Sequence, residues 1–492
     1  MIESNYIPIQ GAAMLFNSIE YAIFLPAVFF LYWILPHKYR WPLLLAASYF
    51  FYMCWKPVYA LLILATTLVS YTAAILIEKA GTKARKRLVL AAGAAVSLGV
   101  LFLYKYFNFA SRALCDFIGL FTARPQPLTL KLLLPVGISF YTFQTLGYII
   151  DVYRKDAKAE RHFGIYATFV SFFPQLVAGP IERSANLIPQ IREERKFDSE
   201  LASYGLKQLL WGFFKKVVIA DRIALYAARV FENPEGFKGF SLLAAVFLFT
   251  VQIYCDFSGY SDMAIGTAKL LGIKLTTNFK SPYFAGSLRD FWGRWHISLS
   301  TWFKDYVYIP LGGNRKGKPR QLLNLFVTFL LSGLWHGADW TFLVWGGAHG
   351  AGRVFEEIVF PKKREFQNKV LKVLRGVLVF LFCSFLWIFF ASKSIGDSFY
   401  VIGHMFEGIS APLGYIKSGL GALGFDLRSL AVLALATVIL ILFDAFSVKR
   451  DVIGGIAKAK PGVRWAVYIL FTVFVILCIP AAHGTEFIYF SF

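Results

Sequence analysis

Apolar positions in this chain come in long unbroken runs separated by short polar stretches, not in the alternating or one-faced patterns of soluble strands and helices. The clearest runs cover 16–35, 58–77, 88–107, 131–152, 239–254, 322–347, 377–390, 429–446 and 465–482. A helix needs about 20 apolar residues to cross a hydrocarbon core of about 30 Å, so most of these runs predict membrane-spanning helices. The run over 41–55 has only 15 residues and predicts a partial span. The pattern predicts an all-α polytopic membrane protein, a single integral-membrane domain over 1–492 with roughly ten spans and a core of function over about 130–355. Residues 1–15 contain Glu3 and no Lys or Arg, so the first run is expected to stay as a span and not to be a cleaved leader.

The middle third breaks this rhythm. Over 206–222, "LKQLLWGFFKKVVIADR" sets Leu206, Leu209, Leu210, Phe213, Phe214, Val217 and Val218 on one stripe with Lys207, Lys215 and Lys216 off it, which predicts a helix lying in the headgroup plane. "DFSGYSDMAIG" (256–266) follows a span directly, and the aromatic, basic stretch 278–320 is too polar to cross lipid. Irregular polar backbone at membrane depth has to be buried in protein or line a cavity. Residues 240–350 are therefore expected to form spanning, re-entrant and interfacial pieces around a cavity.

Charge adds topology. The chain carries 51 Lys+Arg against 29 Asp+Glu, a balance of +22. The basic residues sit in short loops at 37–40, 78–87, 154–162, 361–369 and 448–464, the positive-inside pattern. Those loops are expected in the cytoplasm, and 391–429 and the last ten residues outside. Topology accounts for the charge, and no nucleic-acid partner is called for. The five cysteines form no CxxC pair, so neither a disulfide framework nor a zinc site is expected.

Candidate chemistry narrows to two histidines. "GGNRKGKP" (312–319) has the GxxxxGK spacing, but Pro319 stands where a phosphate loop needs Ser or Thr, and no strand precedes it. It reads as a basic loop meeting lipid headgroups or the phosphates of an acyl donor, with Arg315, Lys316 and Lys318 as the candidate phosphate ligands. His37, His162 and His483 fall in loops or at a span end, His404 in the outside stretch, and His349 has a structural reading. His296, in "RDFWGRWHISLS", and His336, in "LLSGLWHGADWTFLVWGG", remain. An ionisable side chain inside a membrane run is costly and marks a site by default. Imidazole can act there as a general base or as a nucleophile; the two histidines lack a third partner at ligand spacing, so no metal site is expected. Asp339, three residues after His336, would share its helical face and could orient the ring. Trp335, Arg294, Trp295, Asp256 and Asn278 are further candidates to line the cavity.

"RDFWGRWHISLSTWFKDYVYIPLGGN", followed by "LSGLWHGADWTFLVWGGAHG", resembles the membrane-bound O-acyltransferase family, and within it the branch serving alginate O-acetylation. "LFNSIEYAIFLPAVFFLYWIL", "LLPVGISFYTFQTLGYIIDVYR", "FFPQLVAGPIERS", "DFSGYSDMAIG", "NFKSPYF" and the terminal "FIYFSF" extend the likeness from Met14 to Phe492. The resemblance implies a ring of tilted helices around a funnel, His336 as the active histidine and His296 as its second marked residue. It implies an acyl thioester donor such as acetyl-CoA, no bound cofactor, and transfer across a bacterial inner membrane. An extracytoplasmic acetyltransferase of the SGNH-hydrolase type would then esterify an exported polysaccharide, with "EFIYFSF" as a possible contact surface. D-alanyl transfer to teichoic acid and peptidoglycan O-acetylation are alternatives on the same core; "YIPLGGNRKGKP" favours acetylation over the first. A proton-relaying transporter is the alternative from another class, and it predicts repeated halves. No second "RWHISLS" or "LWHGADW" segment occurs.

Overall fold

The computed structural model describes residues 14–177, 179–360 and 368–479; the terminal "FIYFSF", His483 and most of the 361–369 loop lie outside them. All regular secondary structure among the described residues is helical, with no strand. Five helices are long and apolar enough to cross a membrane: Tyr59–Lys79, Lys83–Gly119, Phe240–Leu270, Val370–Ala391 and Leu427–Ser447; Ile19–Ile34 and Pro461–Leu477 are apolar but shorter. Their outward side chains are those of a lipid-facing surface: Leu61 is 66% exposed, Val373 67% and Leu470 69%. The protein is a multi-pass membrane protein.

The chain divides into two compact units, residues 1–209 with 263–276, and 210–262 with 277–492. In the first, Ile138–Arg154 packs against both Tyr59–Lys79 and Lys83–Leu101 and is buried on every side from Ile138 to Ile149. Small residues permit this closeness: a Cβ on Gly93 would stand 3.1 Å from that of Ala73. Lys131–Gly137 is not helical, so this element starts seven residues later than the apolar run predicts.

The second unit holds the corrections that matter for function. The amphipathic helix expected over 206–222 does not present its lysines to headgroups. Its last part is a π-helical stretch, Phe214–Ala220, leading into Asp221–Glu232. Lys215 and Lys216 are buried, whereas Leu206 is exposed. Lys216 Nζ lies 2.7 Å from both Asp221 and Asp256, and Lys215 Nζ lies 2.5 Å from Asp262 and 2.8 Å from Ser258 Oγ. Buried charge is tolerated only when paired, and Gly259 lets the two helices approach closely enough for the pairing: a Cβ there would meet Gly212 O at 2.9 Å. "DFSGYSDMAIG" is thus not an irregular stretch after a span but the middle of one 31-residue helix, Phe240–Leu270.

The run over 322–347 is not one helix either. It breaks after His336, giving Lys318–His336 and Trp340–Val359, which pack along each other as an antiparallel hairpin. Gly333 and Gly346 lie at the crossing, where a Cβ on Gly346 would stand 2.8 Å from the Cα of Gly333. At the base, Lys318 Nζ pairs with Glu357 Oε1 at 3.0 Å. His336 is at the tip, about 28 Å of helix away.

Candidate active site

His336 is the last residue of its helix and is almost fully buried. The rings of Trp335, Trp345 and Phe390 surround it, with centroids at 5.0, 5.0 and 5.4 Å. His296 faces it across the same pocket of aromatics: the two imidazole centroids are 6.2 Å apart, and Trp335 is 5.8 Å from His296. Sequence reasoning singled out these two histidines 40 residues apart, and the fold brings them together.

His296 is held by its backbone. It sits at φ 43°, ψ 54° as the residue before the short helix Ile297–Phe303, a left-handed conformation that non-glycine residues adopt at a cost. Asn278 fixes it there. Its carbonyl accepts from Ile297 N at 3.0 Å, and its Oδ1 accepts from Ser298 N at 3.2 Å and Ser298 Oγ at 2.8 Å. Asn278 Nδ2 donates to Ser261 Oγ at 3.3 Å, and Lys280 N donates to Arg294 O at 3.0 Å. Asn278 is thus a clamp for the backbone at His296. Phe257 packs edge-on against the His296 ring at 4.6 Å. Burial pushes this imidazole below the usual histidine range, so it is neutral and able to exchange a hydrogen bond.

Other candidates turn out to have different work. Asp339 does not share a helical face with His336; it is the N-cap of the next helix, accepting from Thr341 N at 3.2 Å. Trp295 is a core residue, stacked on Phe291 at 5.6 Å and close to Trp387 at 5.1 Å. Arg294 donates to Asp290 at 2.8 Å, and Asp256 is engaged by Lys216. Arg315 and Lys316 lie exposed in the turn before the hairpin, while Lys318 is paired with Glu357. Among the described residues no group of three His, Cys, Asp or Glu side chains is placed to hold a metal ion.

The sequence pattern predicts a cavity within 240–350 but not which residues line it. A space of about 530 Å³ is walled on one side by Gln321, Leu325, Thr328 and Ser332, one stripe of the Lys318–His336 helix, and on the other by Ile297, Ser300, Thr301 and Lys304. Ser332 is one turn before His336 and Ile297 follows His296 directly in the chain, although neither histidine is among the residues that line the cavity. Arg289, Arg353 and Glu357 line it as well, with Arg289 ion-paired to Glu357 and Arg353 to Glu356. The paired glycines of "SGLWHG" and "VWGGAHG" were the available signal for a hairpin. His349, read as structural, is enclosed by Trp345 at 4.8 Å and Trp292 at 5.0 Å.

A buried imidazole pair with centroids 6.2 Å apart suits proton transfer on a bound substrate. The family model for membrane-bound O-acyltransferases matches residues 162–395, a stretch that contains all of this geometry. The chain is 38% identical over 449 residues to the probable alginate O-acetylase of Azotobacter vinelandii, covering 91% of this chain and 88% of that protein. The chain belongs to the membrane-bound O-acyltransferase family. It is an O-acyltransferase. The corresponding probable alginate O-acetylase of Pseudomonas aeruginosa is 40% identical over 397 residues, covering 80% of this chain and 75% of that one. The peptidoglycan O-acetyltransferase of Helicobacter pylori is 36% identical over 424 residues, with 80% of each covered. In this O-acyltransferase, the two histidines and the cavity lie inside the matched stretch.

Proposed function

We propose that this O-acyltransferase moves an acetyl group from a cytoplasmic thioester donor, acetyl-CoA or an acylated carrier, toward the hydroxyls of an exported polysaccharide at a bacterial inner membrane. The observation that carries this reading is the cavity lined by one stripe of the helix that ends at His336 and by Ile297, the residue after His296. A pantetheine-like arm laid along it would bring the thioester to the histidines. His336 takes the proton of an attacking hydroxyl as the new C–O bond forms. The C–S bond breaks, and the proton passes to the departing thiolate, which leaves as thiol. His296, neutral and fixed by Asn278, holds the reacting groups by hydrogen bonding. Delivery to the polymer through an SGNH-type extracytoplasmic partner accords with the chain's likeness to proteins named for alginate and peptidoglycan O-acetylation.

The test is transfer of labelled acetyl from acetyl-CoA by the protein in liposomes. His336→Ala should lower kcat about 10²–10⁴-fold, the usual share of general acid–base catalysis, with insertion and melting unchanged. Ser332→Trp, which fills the inner end of the cavity, should raise KM for the donor more than it lowers kcat. Undiminished transfer in His336→Ala would refute the catalytic role, and transfer from a D-alanyl carrier but not from acetyl-CoA would reassign the donor. A transporter would move its cargo without any acyl donor.

A further inference from the structure

A second cavity, of about 500 Å³, lies in the first unit, far in sequence from the histidines. Its lining includes Glu78, Lys158, Glu160, Arg161, Ser184 and Arg192. Its two carboxylates are already engaged. Glu160 accepts from His162 N at 2.8 Å and is ion-paired with Arg192, and Glu78 accepts from Ala159 N at 3.4 Å and is ion-paired with Arg161. What remains unmatched is donor capacity. Lys158 is exposed and has no carboxylate partner among the described residues. Ser184 is 4% exposed, and among the described residues its hydroxyl has no hydrogen-bond partner.

Ser184 also opens the nine-residue helix Ser184–Arg192, which has no side-chain cap, so its first amides and its positive dipole end add further donors beside the cavity. Ala185, Ile188 and Pro189 of the same helix face line the space too. The cavity lies where loops 78–87 and 154–162 meet, joined by the Arg161–Glu78 pair and by Arg87 Nε donating to Tyr153 OH at 3.4 Å. These are two of the basic loops that the charge pattern assigns to the cytoplasmic face.

We infer that this cavity is a binding site for a phosphate group, with Lys158, Ser184 Oγ and the start of the Ser184–Arg192 helix as its ligands. A basic pocket among membrane helices on the cytoplasmic side suits the phosphodiester of an anionic phospholipid; a soluble phosphate ester offers the same chemistry. The proposal does not depend on the assignment of His336.

The experiment uses the full-length protein in detergent, titrated with phosphatidylglycerol or phosphatidylcholine while bound lipid is counted by native mass spectrometry, with coenzyme A and inorganic phosphate as soluble competitors. Phosphatidylglycerol should be retained in preference to phosphatidylcholine. Lys158→Gln should weaken that retention about fivefold, the equivalent of one lysine near an anionic surface. Ser184→Ala should weaken it as well, and Lys158→Arg should restore it, all without loss of melting temperature. Retention that survives both competitors identifies the lipid as the source, and displacement by coenzyme A or phosphate identifies a soluble ester at the same site. Equal retention of the two lipids with no binding of either competitor, or phosphate binding unchanged in Lys158→Gln and Ser184→Ala, would overturn the proposal.

Discussion

At the scale of single residues, the site is defined by two imidazoles whose positions have unlike origins. His336 is placed by the end of a long helix, and its cost in an apolar run makes it visible in the sequence alone. His296 is also visible, but what holds it is not. A left-handed backbone at a non-glycine residue is kept only when neighbours over-determine it, and here Asn278 supplies three of the constraints from 18 residues upstream. Nothing in the spacing of Asn278 and His296 signals that bracket, because it depends on two irregular segments meeting. Asn278→Leu keeps the volume but leaves the Ser298 amide and hydroxyl buried without an acceptor. It should destabilise the protein by roughly 1–3 kcal/mol and lower kcat with little change in donor KM, read by thermal unfolding and steady-state kinetics on the same preparation. Unchanged kcat in a folded Asn278→Leu protein would show that His296 needs no clamp.

Elements were legible where lipid dictates them and illegible where protein replaces lipid. The spans at 377–390 and 429–446 lie within helices of the fold and that at 58–77 does so from Tyr59 on, because a run facing hydrocarbon must be apolar and helical. The stripe over 206–222 misled because a buried ion pair and an exposed lysine have the same composition. Only the positions of Asp221, Asp256 and Asp262 show that the lysines turn inward. Lys216→Met would leave two buried carboxylates without their cation and should cost about 3–5 kcal/mol. Adding Asp221→Asn and Asp256→Leu should recover most of that loss, measured as midpoints of chemical unfolding in detergent; a mild Lys216→Met phenotype would mean that water reaches this pair. The break after His336 was hidden for another reason: a largely apolar window of 26 residues can make one long crossing or two arms that fold back. Glycines decide between them. A Cβ on Gly346 would stand 2.6 Å from Phe329 O, whereas one on Gly347 would meet nothing nearer than Leu330 Cδ1 at 3.7 Å. Gly346→Ala should therefore destabilise by roughly 1–3 kcal/mol, and Gly347→Ala should be neutral or stabilising. Equal effects at the two positions would argue against a tightly packed hairpin.

For the molecule as a whole, the hairpin changes the accounting of sides. If 322–347 crossed the membrane once, the basic turn "NRKGKPR" (314–320) and the basic residues after 360 would lie on opposite faces, and one of them would violate the positive-inside pattern. Folding back at His336 returns the chain to its starting face, as the Lys318–Glu357 pair at the base requires. A hairpin therefore keeps both basic segments on one side, as the charge pattern expects, with no crossing between them. On the proposed function, Arg289, Arg353 and Glu357, which line the cavity towards the base of the hairpin, would lie on the face where the thioester donor is available. Single cysteines test this without any assay of activity. Lys316→Cys and Lys372→Cys should react with a membrane-impermeant maleimide only in inverted vesicles, and Lys417→Cys only in intact cells, against the background of the native cysteines, four of which are buried. Labelling of Lys316→Cys from outside would place the base of the hairpin on the wrong face and remove the route by which a cytoplasmic donor reaches His336.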